Sequence, residues 1–239
     1  MSKTVAIIGA NGFVGSMLSR SAQRAGLSVL NVSRENYQDT KNNSHNIDVV
    51  INTAMPSGRF AAKNNPVKDF SETVEKTFNI KNDFNLSKVV QISSISARVQ
   101  LDTIYGRHKL SAEGLLNPET DLIIRLGPLY DESLTKGALI DIINDQQVFV
   151  DAKTKYAFTP LEWACQLIIS NLDHTGVEEV GAKGYVCLEE LATTIESTSM
   201  FTGQNDDQIF PTADGTAPDA SEVIQFAQAR KQSIQDLMK

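Results

Sequence analysis

Apolar and polar positions alternate along the chain in short blocks that predict strands and helices in turn. Thr4–Ile8 is a β-branched run that reads as a buried strand. It enters Gly9-Ala10-Asn11-Gly12-Phe13-Val14-Gly15, and then a stretch from Ser16 to Ala25 with helical spacing. Phe13, Leu18 and Ala22 are available for the inner face, and Gly26 ends the helix. Pro66–Ile80 reads as a second helix, with Val67, Phe70, Val74, Phe78 and Ile80 near one stripe and Pro66 in a tolerated first-turn position. Further helices are predicted over residues 160–172, 188–200 and 221–239, with residues 211–218 as a loop.

Glycine in the strand–turn–helix context has a specific use. Gly9 allows a tight turn, Gly12 lets backbone approach a pyrophosphate, and Gly15 lets the helix lie against the strand. The helix N-terminus then offers unpaired N–H groups and the positive end of its dipole to phosphates.

A second chemical feature lies at Tyr105-Gly106-Arg107-His108-Lys109. Tyr105 and Lys109 are i and i+4, so on a helix the ammonium stands beside the phenol. A free phenol has a pKa of about 10, and lowering it by roughly three units takes about 4 kcal/mol of differential stabilisation. A fixed positive neighbour is expected to supply part of that.

Composition narrows the class. The 239 residues suffice for one sizeable α/β core and a small lobe. A net charge of −7 argues against nucleic acid or an anionic membrane as the main partner. Two cysteines, Cys165 and Cys187, form no disulfide framework and suggest a reducing compartment. No apolar run approaches the roughly 20 residues of a membrane span, and a cytoplasmic location is expected. His45, His108 and His174 lack metal-ligand spacing and read as ordinary polar residues; no metal is expected.

The spacing Gly-x2-Gly-x2-Gly, followed by Tyr105-x3-Lys109, resembles the extended short-chain dehydrogenase/reductase superfamily, the NAD(P)-dependent nucleotide-sugar epimerases, dehydratases and reductases. The resemblance runs in order over residues 3–130. Ser28–Val32 looks like the second strand, Asp48–Ala54 the next core strand, Lys88–Ser94 the strand that carries a catalytic serine, and Leu122–Tyr130 the strand and loop near the nicotinamide. It implies an α/β fold with a Rossmann-type doubly wound parallel sheet. Residues 1–130 would form the NAD(P)-binding domain, and residues 131–239 a small C-terminal substrate lobe with a terminal helix. The polar stretch between Arg34 and Asp48 is too short for the family's usual helix plus strand.

The resemblance also implies roles. Ser94 would hydrogen-bond the reacting oxygen, with Ser93 the fallback. Tyr105 would be the general acid-base, and Lys109 would hold the nicotinamide ribose and tune the phenol. Cofactor contacts would come from Gly9, Asn11, Gly12, Phe13, Val14, Gly15, Ser33, Arg34, Thr53, Ala54, Ile92, Tyr105, Lys109 and Leu126. Met55, Arg59 and Ser94 would meet the substrate, expected to be a sugar nucleotide. Arg34 suits a 2′-phosphate and favours NADP, with Glu35 beside it leaving NAD open. The family's dehydratases place Asp-Glu after the catalytic Thr. Ile95-Ser96 stands here instead, which disfavours dehydration. An NADPH-dependent ketoreductase is the leading reading; an NAD-dependent 4-epimerase and a non-catalytic NADP-binding regulator are the alternatives. The family's pairing through the tyrosine helix and the helix before it implies a homodimer.

Overall fold

The computed structural model describes residues 2–211 and 215–237. The chain divides into two units, Met1–Leu126 with Leu161–Glu179, and Gly127–Pro160 with Val180–Lys239.

In the first unit the elements follow as β1 (Thr4–Ile8), α1 (Phe13–Arg24), β2 (Ser28–Val32), α2 (Tyr37–Asn42), β3 (Val49–Asn52), α3 (Arg59–Asn64), α4 (Pro66–Phe70), a π-helical turn (Ser71–Glu75), α5 (Lys76–Asp83), β4 (Lys88–Ser94), α6 (Ser96–Val99), α7 (Ile104–Glu113) and β5 (Leu122–Leu126). The chain returns to it as α8 (Leu161–Ser170) and β6 (Gly176–Val180). The sheet order is β2-β1-β3-β4-β5-β6, and the pairings from β2 to β5 are all parallel. This is the Rossmann-type α/β sheet that the strand and glycine pattern implies.

Central strands in such a sheet are covered on both faces, which is why β1 and β3 read as continuous apolar runs rather than alternating ones. Val5, Ala6, Ile7, Val50 and Ile51 are fully buried. Ile80 and Phe84 of the helical side pack with Ala6, Ile8, Val32 and Val50 in one core cluster, while α1 packs on α8. Between Arg34 and Asp48 the chain makes only the six-residue α2 and a 3-10 turn, with no strand. Strand β6 lies in a stretch that the sequence pattern does not mark as a strand.

The stripe expected on residues 66–80 is corrected. Phe70 and Phe78 are 42% and 56% exposed and Val67 is 79% exposed, whereas Asp69, Thr73, Thr77 and Ile80 are buried. The buried row runs one residue behind the apolar row, a rotation of about 100°. A wide π turn in the middle of the helix holds Asp69, Thr73 and Thr77 in one column.

In the second unit, Leu139, Ile142, Ile143, Leu188, Leu191 and Val223 form the centre of a separate core. The helix expected over 188–200 ends at Thr194. Glu196 takes a left-handed φ of 54°, and Ser197 N–H donates to the Ala192 carbonyl, a Schellman-type closure. The helix expected over 160–172 spans Leu161–Ser170, and the terminal one Glu222–Leu237. Residues 212–214 of the expected loop, and residues 238–239, lie outside the described residues.

Candidate active site

The parallel strands place the residues at their C-terminal ends along one edge of the sheet, where ligands of open α/β sheets bind. The turn after β1 begins at Gly9, whose φ of +86° suits glycine, and the Gly12 N–H donates back to the Gly9 carbonyl at 2.9 Å. A Cβ on Gly15 would lie 2.2 Å from the Gly9 carbonyl oxygen and 2.7 Å from Thr53 Oγ1. Only glycine lets α1 start this close to β1 and β3. Helix α1 has Gly12 at its N-cap with no side-chain cap and no acidic residue in its first turn. Its first N–H groups are therefore left to another acceptor. Asn11 and Gly12 are exposed, Phe13 and Val14 half-buried. This cradle fits a dinucleotide pyrophosphate.

Toward the outer edge, Ser33 donates its N–H to Asn36 Oδ1 at 2.7 Å, while Glu35 N–H donates to Ser33 Oγ at 3.3 Å. The turn holds Arg34 exposed, and its charge helps keep the Glu72 carboxyl below the usual range, after the stronger effect of Lys76. Strands β1 and β3 separate β2 from β4, so Ser33 and Arg34 stand about 14 Å from the Ser94 end of the sheet.

At the end of β3, Thr53 Oγ1 donates to the Ile8 carbonyl at 2.8 Å, and Lys76 Nζ donates to the Ala54 carbonyl at 3.1 Å. A buried amide chain fixes the Met55 side chain just beyond this strand. Asn52 Nδ2 donates to Gln91 Oε1 at 3.0 Å, and Gln91 Nε2 to Met55 Sδ at 2.8 Å. Ile92 and Leu126 are buried, and Leu126 lies beside Ser94 in the β4–β5 register.

Strand alternation separates the two serines of β4. Ser93 Oγ is committed to Glu113 Oε1 at 2.5 Å, within a buried ion pair that Glu113 makes with Arg125 at 2.6 Å. Ser94 Oγ donates to Ser96 Oγ at 3.1 Å, and it stands close enough to the Tyr105 phenol to favour its ionised form. Helix α7 is capped by Thr103, whose Oγ1 accepts from the Gly106 N–H at 3.0 Å. A Cβ on Gly106 would stand 2.2 Å from the Gln100 carbonyl oxygen, so glycine seats α7 on α6 and brings Tyr105 to the strand end. Lys109 Nζ is 5.2 Å from the Tyr105 ring centroid. Arg59 opens α3, half-buried, and its charge acts on the phenol.

The electrostatics differ from the expectation that Lys109 lowers the phenol. Burial pushes Tyr105 up to about 12, partly offset by the nearby Ser94 hydroxyl, with Asp69 raising it and Arg59 lowering it. Burial also pushes Lys109 down to about 7, against the pull of Asp69 and Glu113. Desolvation outweighs the pair's attraction because both groups are less than a tenth exposed.

Two further residues join the site that the sequence pattern does not single out as functional. Asp69 is 4% exposed, and its Oδ2 pairs with His108 Nδ1 at 2.7 Å, so His108 is not an ordinary polar residue. Among the described residues no cluster of His, Cys, Asp or Glu could hold a metal ion, and no helix is long and apolar enough to cross a membrane.

Comparison with known proteins agrees with this arrangement. A novel NAD dependent-NDP-hexosamine 5,6-dehydratase, TunA, is 14% identical, covering 97% of this chain and 98% of its own with a TM-score of 0.78. The dTDP-4-dehydrorhamnose reductase of Yersinia enterocolitica is 15% identical, covering 95% and 99%, TM-score 0.75. The UDP-glucose 4-epimerase of Thermotoga maritima, solved with UDP-glucose, is 12% identical, covering 99% and 100%, TM-score 0.71. These likenesses show the fold. No curated protein sequence matches the chain. Residues 5–119, the segment from β1 through the Tyr105–Lys109 helix, match the model of the family described as the NAD dependent epimerase/dehydratase family.

Proposed function

We propose that the protein is an NADPH-dependent ketoreductase acting on a keto-sugar nucleotide. The observation that carries this reading is the Tyr105 phenol set beside Ser94 at the end of β4, with Lys109 on the same helix face, next to an uncapped helix N-terminus behind a glycine turn. A nicotinamide held at this strand edge would supply the hydride. Tyr105 then donates its phenolic proton to the carbonyl oxygen, Ser94 orients that oxygen, and the Lys109 charge stabilises the phenolate left behind. Arg34, exposed at the end of β2, favours a 2′-phosphate over a bare ribose. Ile95 is buried and apolar, and Ser96 donates its N–H to Ser94, so neither supplies the extra acid and base that eliminating water requires. Sugar nucleotides appear in the names of all three structural relatives, which supports that substrate class.

The alternative reading, an NAD-dependent 4-epimerase, is favoured by exposed Glu35 beside Arg34. A homodimer is proposed through the outward apolar row Val67, Phe70 and Phe78, which Phe60 and Leu110 extend, all exposed. The deciding experiment titrates the purified chain with NADPH and NADH by nicotinamide fluorescence, then follows nicotinamide oxidation with keto-sugar nucleotides. Preference for NADPH and turnover that drops by about 10²–10⁴ in Tyr105→Phe, with binding retained, is the expected result. Turnover unchanged in that variant refutes the role of Tyr105. Preference for NADH moves the assignment to the epimerase.

A further inference from the structure

One buried aspartate–histidine pair beside Tyr105 and Lys109 takes no part in the proton transfer to the ketone. Helix α4 and the π turn present polar atoms to α7, where the sequence pattern would place apolar ones. Asp69 is 4% exposed and Thr73 fully buried, one turn apart. Asp69 Oδ2 pairs with His108 Nδ1 at 2.7 Å, while Asp69 Oδ1 and Thr73 Oγ1 have no partner among the described residues. The His108 ring is held edge-on against Phe70, with centroids 5.5 Å apart. A carboxylate stripped of water is costly unless another charge answers it. Its field falls on both reacting groups, raising the proton affinity of Lys109 and of Tyr105.

The other charges around α7 are spoken for. Glu113, on α7 itself, accepts from Arg125 Nε and Nη2 and from Ser93. Arg98 of α6 forms a two-point pair with Glu179, and Glu72 of the π turn pairs with Lys76. Arg59 of α3 acts on Tyr105. That leaves Asp69 as the carboxylate whose charge is not already cancelled by a cation of fixed charge.

We propose that Asp69, anchored by His108, is a positioning residue that steadies the Lys109 ammonium in the helix interface against the pull of burial toward the neutral amine. The inference rests on the reading of Lys109 as the partner of Tyr105. It assigns to α4 a role that neither the glycine turn nor the Ser-Tyr-Lys set contains.

The test is lysine side-chain NMR on the full chain, with the Lys109 signal assigned by its loss in Lys109→Arg. No substrate or cofactor is needed, so failure of the ketone screen and failure of this inference are read separately. The expected result is that Asp69→Asn lowers the Lys109 titration midpoint by about one pH unit or more, a tenfold loss of proton affinity. His108→Ala, at a partly exposed position, moves it by a smaller amount, because the carboxylate loses the donor that fixes its place and screens its charge. A merely structural role would reduce thermal stability and leave the midpoint where it is. If Asp69→Asn folds and the midpoint does not move, the proposal is overturned. Should Asp69→Asn fail to fold, His108→Ala decides, and an unmoved midpoint there overturns it equally.

Discussion

Lys109→Met should stabilise the fold at neutral and mildly acidic pH, and the size of the gain comes from its burial. A lysine in the unfolded chain titrates near 10.5, and in the folded chain Lys109 titrates at about 7. The folded state therefore holds fewer protons than the unfolded state between these values. Stability must rise with pH across that window, at up to about 1.4 kcal/mol per unit. It is fully present above the unfolded value and is lost as pH falls through 7. Over the whole window the difference is about 4–5 kcal/mol, the free energy of carrying a charged ammonium at a site 3% exposed.

Methionine fills a similar volume and carries no charge. At pH 6 the variant should exceed the wild type by about 4 kcal/mol, or about 10 °C in Tm. The gap should close as pH approaches 10. Urea denaturation at pH steps from 6 to just under 10 measures it, stopping short of the phenols, since Tyr105 titrates only at about 12. Lys88, also lowered mainly by burial, is present in both chains and cancels in the difference. Parallel stability curves for wild type and variant would refute the argument, because they would mean that Lys109 keeps an ordinary proton affinity inside the fold. A gain in stability accompanied by loss of turnover is the signature of a residue kept for chemistry.

Three further outcomes are expected. Gly15→Ala forces a Cβ to within 2.2 Å of the Gly9 carbonyl oxygen; it should cost about 1–3 kcal/mol in denaturant titrations and abolish NADPH fluorescence enhancement. Glu113→Ala leaves the Arg125 guanidinium, 16% exposed in its side chain, with only the longer pair to Glu179 at 3.7 Å, and should cost about 3 kcal/mol in thermal unfolding; adding Arg125→Met should recover much of that loss. Phe70→Glu with Phe78→Glu should give a monomer in sedimentation velocity where the wild type gives a dimer, with the far-UV spectrum unchanged; a dimer persisting in the double variant places the contact elsewhere.

The features legible in the residues are those that depend on near neighbours. The apolar runs of β1, β3, β4 and β5 are covered on both faces, so composition alone marks them, and the glycine spacing after β1 encodes a turn closed within six residues. Tyr105 and Lys109 lie one helical turn apart, a distance that sequence spacing reports directly. The apolar row on residues 66–80 misleads because an exposed phenylalanine and a buried one look identical in a pattern, and the π turn shifts the phase between them. Asp69 and His108 are 39 positions apart, and nothing local to either announces the other. The same physics explains both failures. Near a reacting group, the inward face of a helix must carry charge and hydroxyls, so its apolar residues are displaced to the outside. There they either meet another copy of the chain or stay wet. The polar inward row and the exposed phenylalanines are thus one observation, and a helix whose pattern points the wrong way is itself a marker of the site it faces.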